Sequence, residues 1–268
     1  MTKNPLVSIL INNYNKGKVC EKSVKSAINQ TYKKIEVIFY DDGSKDNSLK
    51  KVEKLKKKYK KRISIIKNKN RGEFYSVNQI SAIEKSLKKS KGEIACILDS
   101  DDFFKKDKVK KVVNYFLNNQ AQIVYDRPIL FYNKKKLKKS EVNFFQRENK
   151  WPKFPSTSCI SFKTKFLKKN IKKININKFE DLWFDFRIST FYSIKKKQFN
   201  LIDDHLTYYR QDSNNFDKKY QKFLNKKWWD RRKQAFDFLR FLDKEKFKKN
   251  IFTLDYLITT IMKKFFLF

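Results

Sequence analysis

Glycine, proline, cysteine and histidine are scarce in this chain of 268 residues, which has 4 Gly, 4 Pro, 3 Cys and 1 His. Its three cysteines, Cys20, Cys96 and Cys159, lie far apart. That spacing excludes a dense disulfide framework and a compact cysteine metal site, so we expect reduced thiols in the core. We expect the single histidine, His205, to be a structural residue of a strand.

Long apolar runs are also missing, because no stretch reaches the ~18 apolar residues that a membrane-spanning helix needs. The N-terminal residues become polar too early for a secretory signal. Residues 251–268 are the most apolar stretch, but Asp255, Lys263 and Lys264 interrupt it. It fits an interfacial helix and a helix packed on the domain equally well. We therefore expect a cytoplasmic protein, free or peripheral on the inner face of the membrane.

Acidic residues are a minority: 28 Asp and Glu face 65 Lys and Arg, for a net charge of +37. The excess is mostly lysine in short scattered runs, such as residues 56–58 and 195–197. This distribution is typical of lysines that occupy solvent-exposed positions. The lysines form no stripe of the kind that nucleic-acid-binding proteins present. We predict no nucleic-acid partner, and attraction to an anionic membrane or glycolipid is the alternative.

Strand and helix patterns alternate in the first half of the chain. Apolar runs predict strands at 7–11, 35–40, 63–66, 94–98 and 123–125, and helical periodicity predicts helices at 18–29, 46–60, 77–87 and 106–118. This alternation predicts an α/β fold with a mostly parallel sheet and helices on both faces. Ligands are then expected at the carboxyl ends of the strands.

The alternation breaks after residue 125. Residues 126–155 are predicted to be irregular or antiparallel. Strands are expected at 159–162 and 206–209, and helices at 166–170, 180–193 and 220–241 and again from residue 251.

Carboxylates follow two of the predicted strands, and in a parallel sheet both strand ends meet at one crevice. They are Asp41, Asp42, Asp99, Asp101 and Asp102. Clustered carboxylates repel one another unless a cation balances them, and a divalent cation would also bridge a diphosphate. Asp46 and Asp107 are better explained as helix caps.

Several short motifs stand in a fixed order over residues 7–102. They are Val7-Ser8-Ile9, Asn13-Tyr14-Asn15, Gln30-Thr31-Tyr32, Glu36-Val37-Ile38, Asp41-Asp42-Gly43-Ser44 and Leu98-Asp99-Ser100-Asp101-Asp102. In order and spacing they resemble the family 2 glycosyltransferases of the GT-A fold. The combination is specific, whereas a lone Asp-x-Asp would not be.

The resemblance implies a nucleotide-diphosphate sugar donor, usually a UDP-sugar, with Mn²⁺ or Mg²⁺ on the diphosphate. By the family pattern, Asp101 would bind the metal, Tyr14 would lie against the base, Asp42 would bind base or ribose, and Asp99 would contact the ribose. The full donor-binding set would be Asn13, Tyr14, Asp42, Arg71 and Asp99. For Arg71, an exposed loop charge is an equal alternative.

Glu180-Asp181 resembles the Glu-Asp motif of the same family. Asp181 would be the general base that takes the proton of the acceptor hydroxyl during inverting transfer, and Glu180 would support it or bind the acceptor. The alternative is a pair of solvated acids at a helix N-terminus. Residues 206–210 resemble a further family segment, but Asp212 stands where relatives often have a histidine.

The resemblance thus implies transfer of a sugar to a hydroxyl of a glycan or lipid-linked glycan, in cell-envelope polysaccharide or lipopolysaccharide synthesis. The GT-A catalytic domain would span 1–215, with a nucleotide-sugar half at 1–105 and an acceptor half at 106–215. Residues 216–268 would form a C-terminal helical extension. A nucleotidyltransferase is disfavoured, because residues 12–18 contain one glycine instead of a glycine-rich loop. A non-catalytic basic module for anionic glycans or membranes is the alternative.

Overall fold

The structure is a computed structural model that describes residues 1–60, 62–69, 72–132, 136–139, 154–175, 177–196, 200–211, 225–242 and 254–265. Its strands are β1 (Val7–Asn13), β2 (Ile35–Asp41), β3 (Ile63–Lys67), β4 (Ile94–Asp99), β5 (Phe103–Phe104), β6 (Ile123–Tyr132), β7 (Lys136–Lys139), β8 (Ile160–Lys163) and β9 (Leu201–Arg210). Its helices are α1 (Cys20–Ile28), α2 (Ser48–Lys58), α3 (Tyr75–Lys89), α4 (Lys108–Asn118), α5 (Thr164–Ile174), α6 (Phe184–Lys196), α7 (Lys226–Leu242) and α8 (Leu254–Phe265).

The strands form one sheet in the order β3-β2-β1-β4-β8-β6-β9-β5, with β7 beside β6. The first four of these are parallel neighbours, as expected. β8 runs antiparallel to both β4 and β6, while β9 is parallel to β6. The sheet is therefore mixed, and the expected mostly parallel arrangement holds only for its first four strands.

Helices cover both faces of the sheet, as predicted, because alternate strand residues point in opposite directions. Ile9 belongs to a core cluster with residues of α1, α2 and α4. The next residue, Leu10, belongs to the cluster on the other face, with residues of α3, α5 and α6. The two faces of the sheet are therefore covered by different helices.

Several elements differ from the sequence prediction: β9 begins at Leu201 instead of residue 206, α5 extends over Thr164–Ile174, and β5 and β7 were not predicted. Two further differences have a clear physical reason. β6 continues to Tyr132, well beyond the three residues expected, because it pairs with β9 over Tyr125 to Phe131. Helix α6 begins at Phe184, not at Glu180, because Asn177–Phe179 forms a 3-10 turn and the chain is still turning after it.

The two predicted capping residues also have different outcomes. Asp46 accepts the backbone N–H of Ser48 at 2.9 Å, so it stabilises the start of α2, although the helix begins later than expected. Asp107 directly precedes α4 but makes no side-chain cap hydrogen bond in the described structure; it pairs with Lys111 instead. The N-cap position of α2 is occupied by Asn47, so the prediction of Asp46 as the cap was wrong by one residue, although its carboxylate still accepts a bond from the first helical N–H.

Helix α7 packs on α6 and on the 3-10 turn that precedes α6. Phe238 of α7 is fully buried and contacts Phe179 with 5.1 Å between ring centroids. Helix α8 packs on α7. None of the helices described in this structure has both the length and the apolar character needed to cross a bilayer. The three cysteines are buried free thiols, which confirms that prediction.

Candidate active site

A cleft of about 250 Å³ opens at the carboxyl ends of β1, β2 and β4. Five residues singled out from the sequence line it together: Asn13, Tyr14, Asp42, Asp99 and Asp101. The parallel neighbours β2, β1 and β4 bring these side chains to one edge, although they come from three separate segments. Arg71 and Asp212 lie outside the described residues.

The turns after β1 and β2 are tied to each other by side-chain hydrogen bonds. The Asn13 amide donates to Asp41 Oδ1 at 2.8 Å and to Ser44 Oγ at 3.0 Å. Asn15, whose φ is 52°, donates its backbone N–H to the same Ser44 Oγ at 2.9 Å. Asn13 therefore holds the two turns together as well as lining the cleft.

Asp42 is nearly buried and its carboxylate is held in place. Asn68 Nδ2 donates to Asp42 Oδ1 at 2.9 Å, and the Asp42 N–H donates to the Asn13 carbonyl at 2.9 Å. Gly43 follows with φ 74°, a left-handed conformation that glycine adopts without a steric penalty. The turn thus points a carboxylate into the cleft while the chain reverses directly behind it.

The acidic segment after β4 divides its carboxylates between the cleft and the protein interior. Asp99 and Asp101 line the cleft. Asp102 is buried, where it accepts Ser158 Oγ at 2.6 Å and the Arg210 N–H at 2.8 Å. Burial, followed by the charges of Asp101 and Asp99, raises the pKa of Asp102 well above its ordinary value.

Asp99 has a second neighbour that the sequence did not single out. Gln79 Nε2 of α3 lies 3.3 Å from Asp99 Oδ1, and the side-chain Oε1 of Gln79 accepts the Phe184 N–H at 3.3 Å. Burial and the nearby charge of Asp101 raise the pKa of Asp99 to about 7. Gln79 therefore connects the acidic segment to the start of α6.

Cationic side chains face these acids. Lys16 Nζ lies 2.5 Å from Asp101 Oδ2. Burial lowers the pKa of Lys16, but the neighbouring carboxylates, Asp101 foremost, outweigh burial and raise it above the ordinary value. Arg210 also lines the cleft, and its Nε donates to the Asp101 carbonyl at 3.1 Å. The cleft can therefore receive an anionic ligand between fixed cations while its acids attract a further cation.

The opposite wall comes from the second half of the chain. It includes Thr157, Trp183, Asp185, Tyr209 and Arg231. Thr157 begins the 3-10 turn before β8, and Asp185 lies in the first turn of α6. This wall combines an indole ring, a carboxylate and a guanidinium, groups that can contact the faces and hydroxyls of a sugar.

Glu180 and Asp181 lie in the turn before α6, beside this wall. As far as the structure describes the cleft, neither Glu180 nor Asp181 lines it. Gln234 of α7 holds Asp181 twice: its amide oxygen accepts the Asp181 N–H at 2.9 Å and its Nε2 donates to Asp181 Oδ2 at 3.0 Å. The Glu180 carbonyl accepts the Ser76 hydroxyl. Asp185 follows Asp181 by four residues and is the carboxylate of this segment that lines the cleft.

A buried arginine organises the turn. Arg187 of α6 is fully buried, and its guanidinium donates to the carbonyls of Leu182 at 2.8 Å, Ile174 at 2.9 Å and Phe179. Burial lowers the pKa of Arg187 to about 10. These contacts hold the chain on both sides of Glu180 and Asp181.

Sequence reasoning missed several cleft residues, of which Asn12, Lys16, Gln79 and Asp185 matter most. Asn12 directly precedes the Asn13 motif, and its position near the end of a strand could have identified it. Within the described part of the chain, its buried side-chain amide has no hydrogen-bond partner. Lys16, Gln79 and Asp185 carry no local signal, since only packing directs them toward the cleft.

The family model described as Glycosyl transferase family 2 matches residues 8–175. The chain belongs to glycosyl transferase family 2. The match contains all five strand-end carboxylates, Asp41, Asp42, Asp99, Asp101 and Asp102, and ends before the turn that carries Glu180 and Asp181.

Similar proteins agree with this family membership. An uncharacterized glycosyltransferase of Haemophilus influenzae is 35% identical over 119 residues, which are 44% of this chain and 35% of that protein. The Escherichia coli protein named UDP-Glc:alpha-D-GlcNAc-diphosphoundecaprenol beta-1,3-glucosyltransferase WfaP is 34% identical over 120 residues, or 45% of each chain. The aligned part of this chain thus spans less than half of either relative's length.

Solved structures of other proteins share the fold. S. aureus TarS 1-349 in complex with UDP-GlcNAc superposes with a TM-score of 0.65 at 16% identity, covering 95% of this chain and 72% of that one. The mannosyltransferase PcManGT from Pyrobaculum calidifontis, in complex with GDP-Man and Mn²⁺, gives 0.59 at 14% identity, covering 88% and 64%. At such identities the likeness shows the GT-A fold, which confirms the predicted fold class.

Proposed function

We propose that this protein is a glycosyltransferase that binds a nucleotide-diphosphate sugar, in the first instance a UDP-sugar, in the cleft at the ends of β1, β2 and β4. The observation that carries the proposal is the convergence of Asp42, Asp99 and Asp101 on one cleft with Lys16 and Arg210. Family membership and the UDP-GlcNAc complex of TarS support it.

The donor half offers groups suited to each part of the donor. Asp42 is anchored to bind the base or ribose, Tyr14 to lie against the base, and Asp99 to contact the ribose. Asn13 supports this pocket by holding the two turns together. Lys16 and Arg210 would lie beside the diphosphate, where fixed cations stabilise the charge that develops on the leaving group.

The residues present fit a divalent cation, Mn²⁺ or Mg²⁺, shared between protein and donor. In the described part of the chain no three His, Cys, Asp or Glu side chains form a complete metal cage. Mg²⁺ is usually held by one or two carboxylates together with substrate phosphates and water, and Asp101 offers such a carboxylate. Its close contact with the Lys16 ammonium shows that a cation is favourable there. When bound, the metal would neutralise charge on the departing diphosphate.

Asp181 is the proposed general base. The acceptor hydroxyl would attack the anomeric carbon, the bond from that carbon to the diphosphate would break, and the base would take the hydroxyl proton. Attack from the face opposite the diphosphate inverts the anomeric centre. Support comes from the Glu-Asp motif and from the two hydrogen bonds by which Gln234 orients Asp181. Glu180 would support the acceptor site.

Asp185 is a competing candidate for the same proton, because it is the carboxylate of this segment that lines the cleft. Burial and the charge of Asp101 are the main causes that raise the pKa of Asp99, and the hydrogen bond from Gln79 lowers it. The charge of Asp185 raises it by a smaller amount, so Asp185 and Asp99 lie in one electrostatic environment. If Asp181 is the base, Asp185 would bind acceptor hydroxyls. Isosteric substitution of each aspartate separates these two roles.

The acceptor is proposed to be a glycan or a lipid-linked glycan used in the cell envelope, with the reaction at the cytoplasmic face of the membrane. The name of the Escherichia coli relative supports this, since it specifies a diphosphoundecaprenol-linked sugar as acceptor.

The test combines thermal unfolding with donor turnover. UDP- and GDP-sugars are added with and without Mn²⁺ to the wild type, Asp101→Ala, Asp181→Asn and Asp185→Asn. One donor should stabilise the wild type only with metal, and Asp101→Ala should lose that response. Asp107→Ala, an acid of the same chain segment outside the cleft, is the matched control and should behave as wild type.

The base variant should bind the donor normally while transfer falls by roughly 10²-fold or more. Loss in Asp185→Asn with normal transfer by Asp181→Asn would reassign the base to Asp185. If no nucleotide sugar or free nucleoside diphosphate binds under any metal condition, the transferase proposal is wrong, and the basic module for anionic glycans becomes the leading function. Binding that disappears at moderate salt without any turnover would identify that module.

A further inference from the structure

Helix α8 presents an apolar stripe to solvent. Leu254 is 71% exposed, Leu257 55%, Ile261 51% and Phe265 76%, and Ile258 lies beside them. Their spacing of three or four residues places these side chains on one face of the helix. Exposed apolar patches of this kind mark interaction sites.

The opposite face of α8 packs on α7, largely through polar groups. Arg232 of α7 pairs with Asp255 at 2.5 Å and donates to Thr259 Oγ1 at 3.2 Å. Lys263 Nζ lies 3.3 Å from Asp230 Oδ1. Of the α8 residues that the structure describes, Thr259 is the one that is fully buried.

This orientation is the reverse of that expected for a surface helix, which normally buries its apolar side and solvates its polar side. Phe236 and Tyr256 add one aromatic contact, with 5.5 Å between ring centroids. The ion pairs at both ends of α8 oppose rotation of the helix about its axis. The apolar stripe is therefore held outward by the contacts of α7.

The charges beside the stripe indicate its partner. Lys263 and Lys264 occupy the last turn of α8, and the whole chain has a net charge of +37. A second copy of the chain would bring like charges together, whereas an anionic lipid surface complements them. The twelve described residues of α8 span roughly 18 Å as a helix, less than the ~30 Å hydrocarbon core, which suits a helix lying in the interface plane.

We propose that α8 is a membrane-docking helix whose stripe of Leu254, Leu257, Ile258, Ile261 and Phe265 inserts into the headgroup boundary of an anionic bilayer. Lys264 in the last turn, next to Leu257 on the helix surface, contacts lipid headgroups, whereas Lys263 pairs with Asp230 of α7. Helix α7 carries Arg231, which lines the cleft, next to Arg232, which holds α8. Docking through α8 would therefore place the acceptor wall of the cleft near the membrane surface.

The test is co-sedimentation of the full chain with vesicles of phosphatidylglycerol and phosphatidylethanolamine, compared with vesicles of phosphatidylcholine alone. The wild type should bind the anionic vesicles, and binding should weaken with salt. The double variant Leu257→Asp/Ile261→Asp should lose at least about 10-fold in affinity, because two inserted side chains are removed and two negative charges are added. Both positions are exposed, so unfolding temperature should stay unchanged.

Leu117→Asp is the matched control, since Leu117 is 41% exposed on a different helix, and it should bind vesicles as the wild type does. Asp101→Ala should also bind normally, so the outcome does not depend on the glycosyltransferase proposal. Failure to bind anionic vesicles, or equal binding by the double variant and the wild type, would overturn the membrane role of α8. A wild-type dimer that the double variant converts to a monomer, without vesicle binding, would assign the stripe to a second copy.

Discussion

Lys108 and Asp126 form an ion pair that is enclosed by protein, with 2.7 Å between Lys108 Nζ and Asp126 Oδ2 and side-chain exposures of 0% and 1%. The same ammonium donates to the Ser158 carbonyl at 2.6 Å and to Thr207 Oγ1 at 2.7 Å. It therefore joins α4, β6, β9 and the turn beneath the acidic segment in one hydrogen-bonded group.

Removing one partner of this pair should leave an uncompensated charge inside the protein. We predict that Lys108→Met lowers the free energy of unfolding by about 3–5 kcal/mol in urea titrations. Lys67→Met is the control, because Lys67 pairs with Glu53 on the surface and should cost no more than about 1 kcal/mol. A Lys108→Met variant as stable as this control would contradict the prediction.

Ser158 links the cleft carboxylates to this buried group. Its hydroxyl accepts the Asp99 N–H at 3.0 Å and donates to Asp102 Oδ2 at 2.6 Å. Ser158→Ala should lower the free energy of unfolding by about 1–3 kcal/mol, because both partners lose a buried hydrogen bond. It should also weaken donor binding, measured by calorimetry.

Ser161→Ala provides the comparison for Ser158→Ala. Ser161 is equally buried, but its hydroxyl contacts only the weakly accepting sulfur of Cys96, at 3.3 Å, among the bonds described. Its replacement should change stability less and leave donor binding intact. Equal effects of the two substitutions would mean that the Ser158 bonds do not position the acidic segment.

Arg187 should be essential for the turn that carries Glu180 and Asp181. Arg187→Met leaves three carbonyls without their charged donor, and we expect a loss of about 3 kcal/mol or more in chemical denaturation. Arg187→Lys should recover little, since a single ammonium cannot reproduce the geometry of a guanidinium fork. The control is Arg240→Met at an exposed position of α7. Wild-type stability of Arg187→Lys would refute this role.

The three thiols should be unreactive in the folded protein. Burial raises the pKa of Cys20 to about 11 and that of Cys96 to about 11, and it raises the pKa of Cys159 further. The thiolate is the reactive form, so iodoacetamide at pH 8 should modify none of them before unfolding and all of them in urea. Rapid labelling of any cysteine in the native state, read by mass spectrometry, would contradict the buried positions.

The same raised pKa values predict a pH effect on stability. In the unfolded chain these thiols ionise near pH 9, whereas in the folded chain Cys20 and Cys96 keep their protons until about pH 11. Their contribution to stability is therefore complete below pH 9 and is lost as the pH rises toward 11. Replacing both residues by alanine should reduce the slope of stability against pH in this window.

Much of the first half of the chain could be predicted from local patterns. The predicted strands at 7–11, 35–40 and 94–98 are each present and slightly longer, and three of the five acids that follow them, Asp42, Asp99 and Asp101, share one cleft, whereas in the described structure Asp41 and Asp102 do not line it. The prediction of the cleft succeeded because neighbouring parallel strands place their carboxyl ends at one edge of the sheet. The order of the strands along the chain and the periodicity of their apolar residues are therefore enough to locate that edge. The roles of the individual residues stay predictions.

Other features depend on contacts between distant segments, which periodicity does not report. The lysine excess predicted solvated side chains, yet Lys108 is completely buried because Asp126, 18 positions further along the sequence, and Thr207 surround it. Helix α6 begins at Phe184 because Arg187 gathers the carbonyls of the preceding turn.

The amino-acid sequence by itself determined the family, the α/β class and the edge of the sheet at which the acidic residues meet, because these follow from short-range periodicity and motif order. Only the tertiary structure decided that Asp185 lines the cleft while Gln234 holds Asp181, and that α8 turns its apolar stripe outward. Those outcomes depend on which side chains of remote helices offer hydrogen bonds and ion pairs, and that information exists only once the chain is packed.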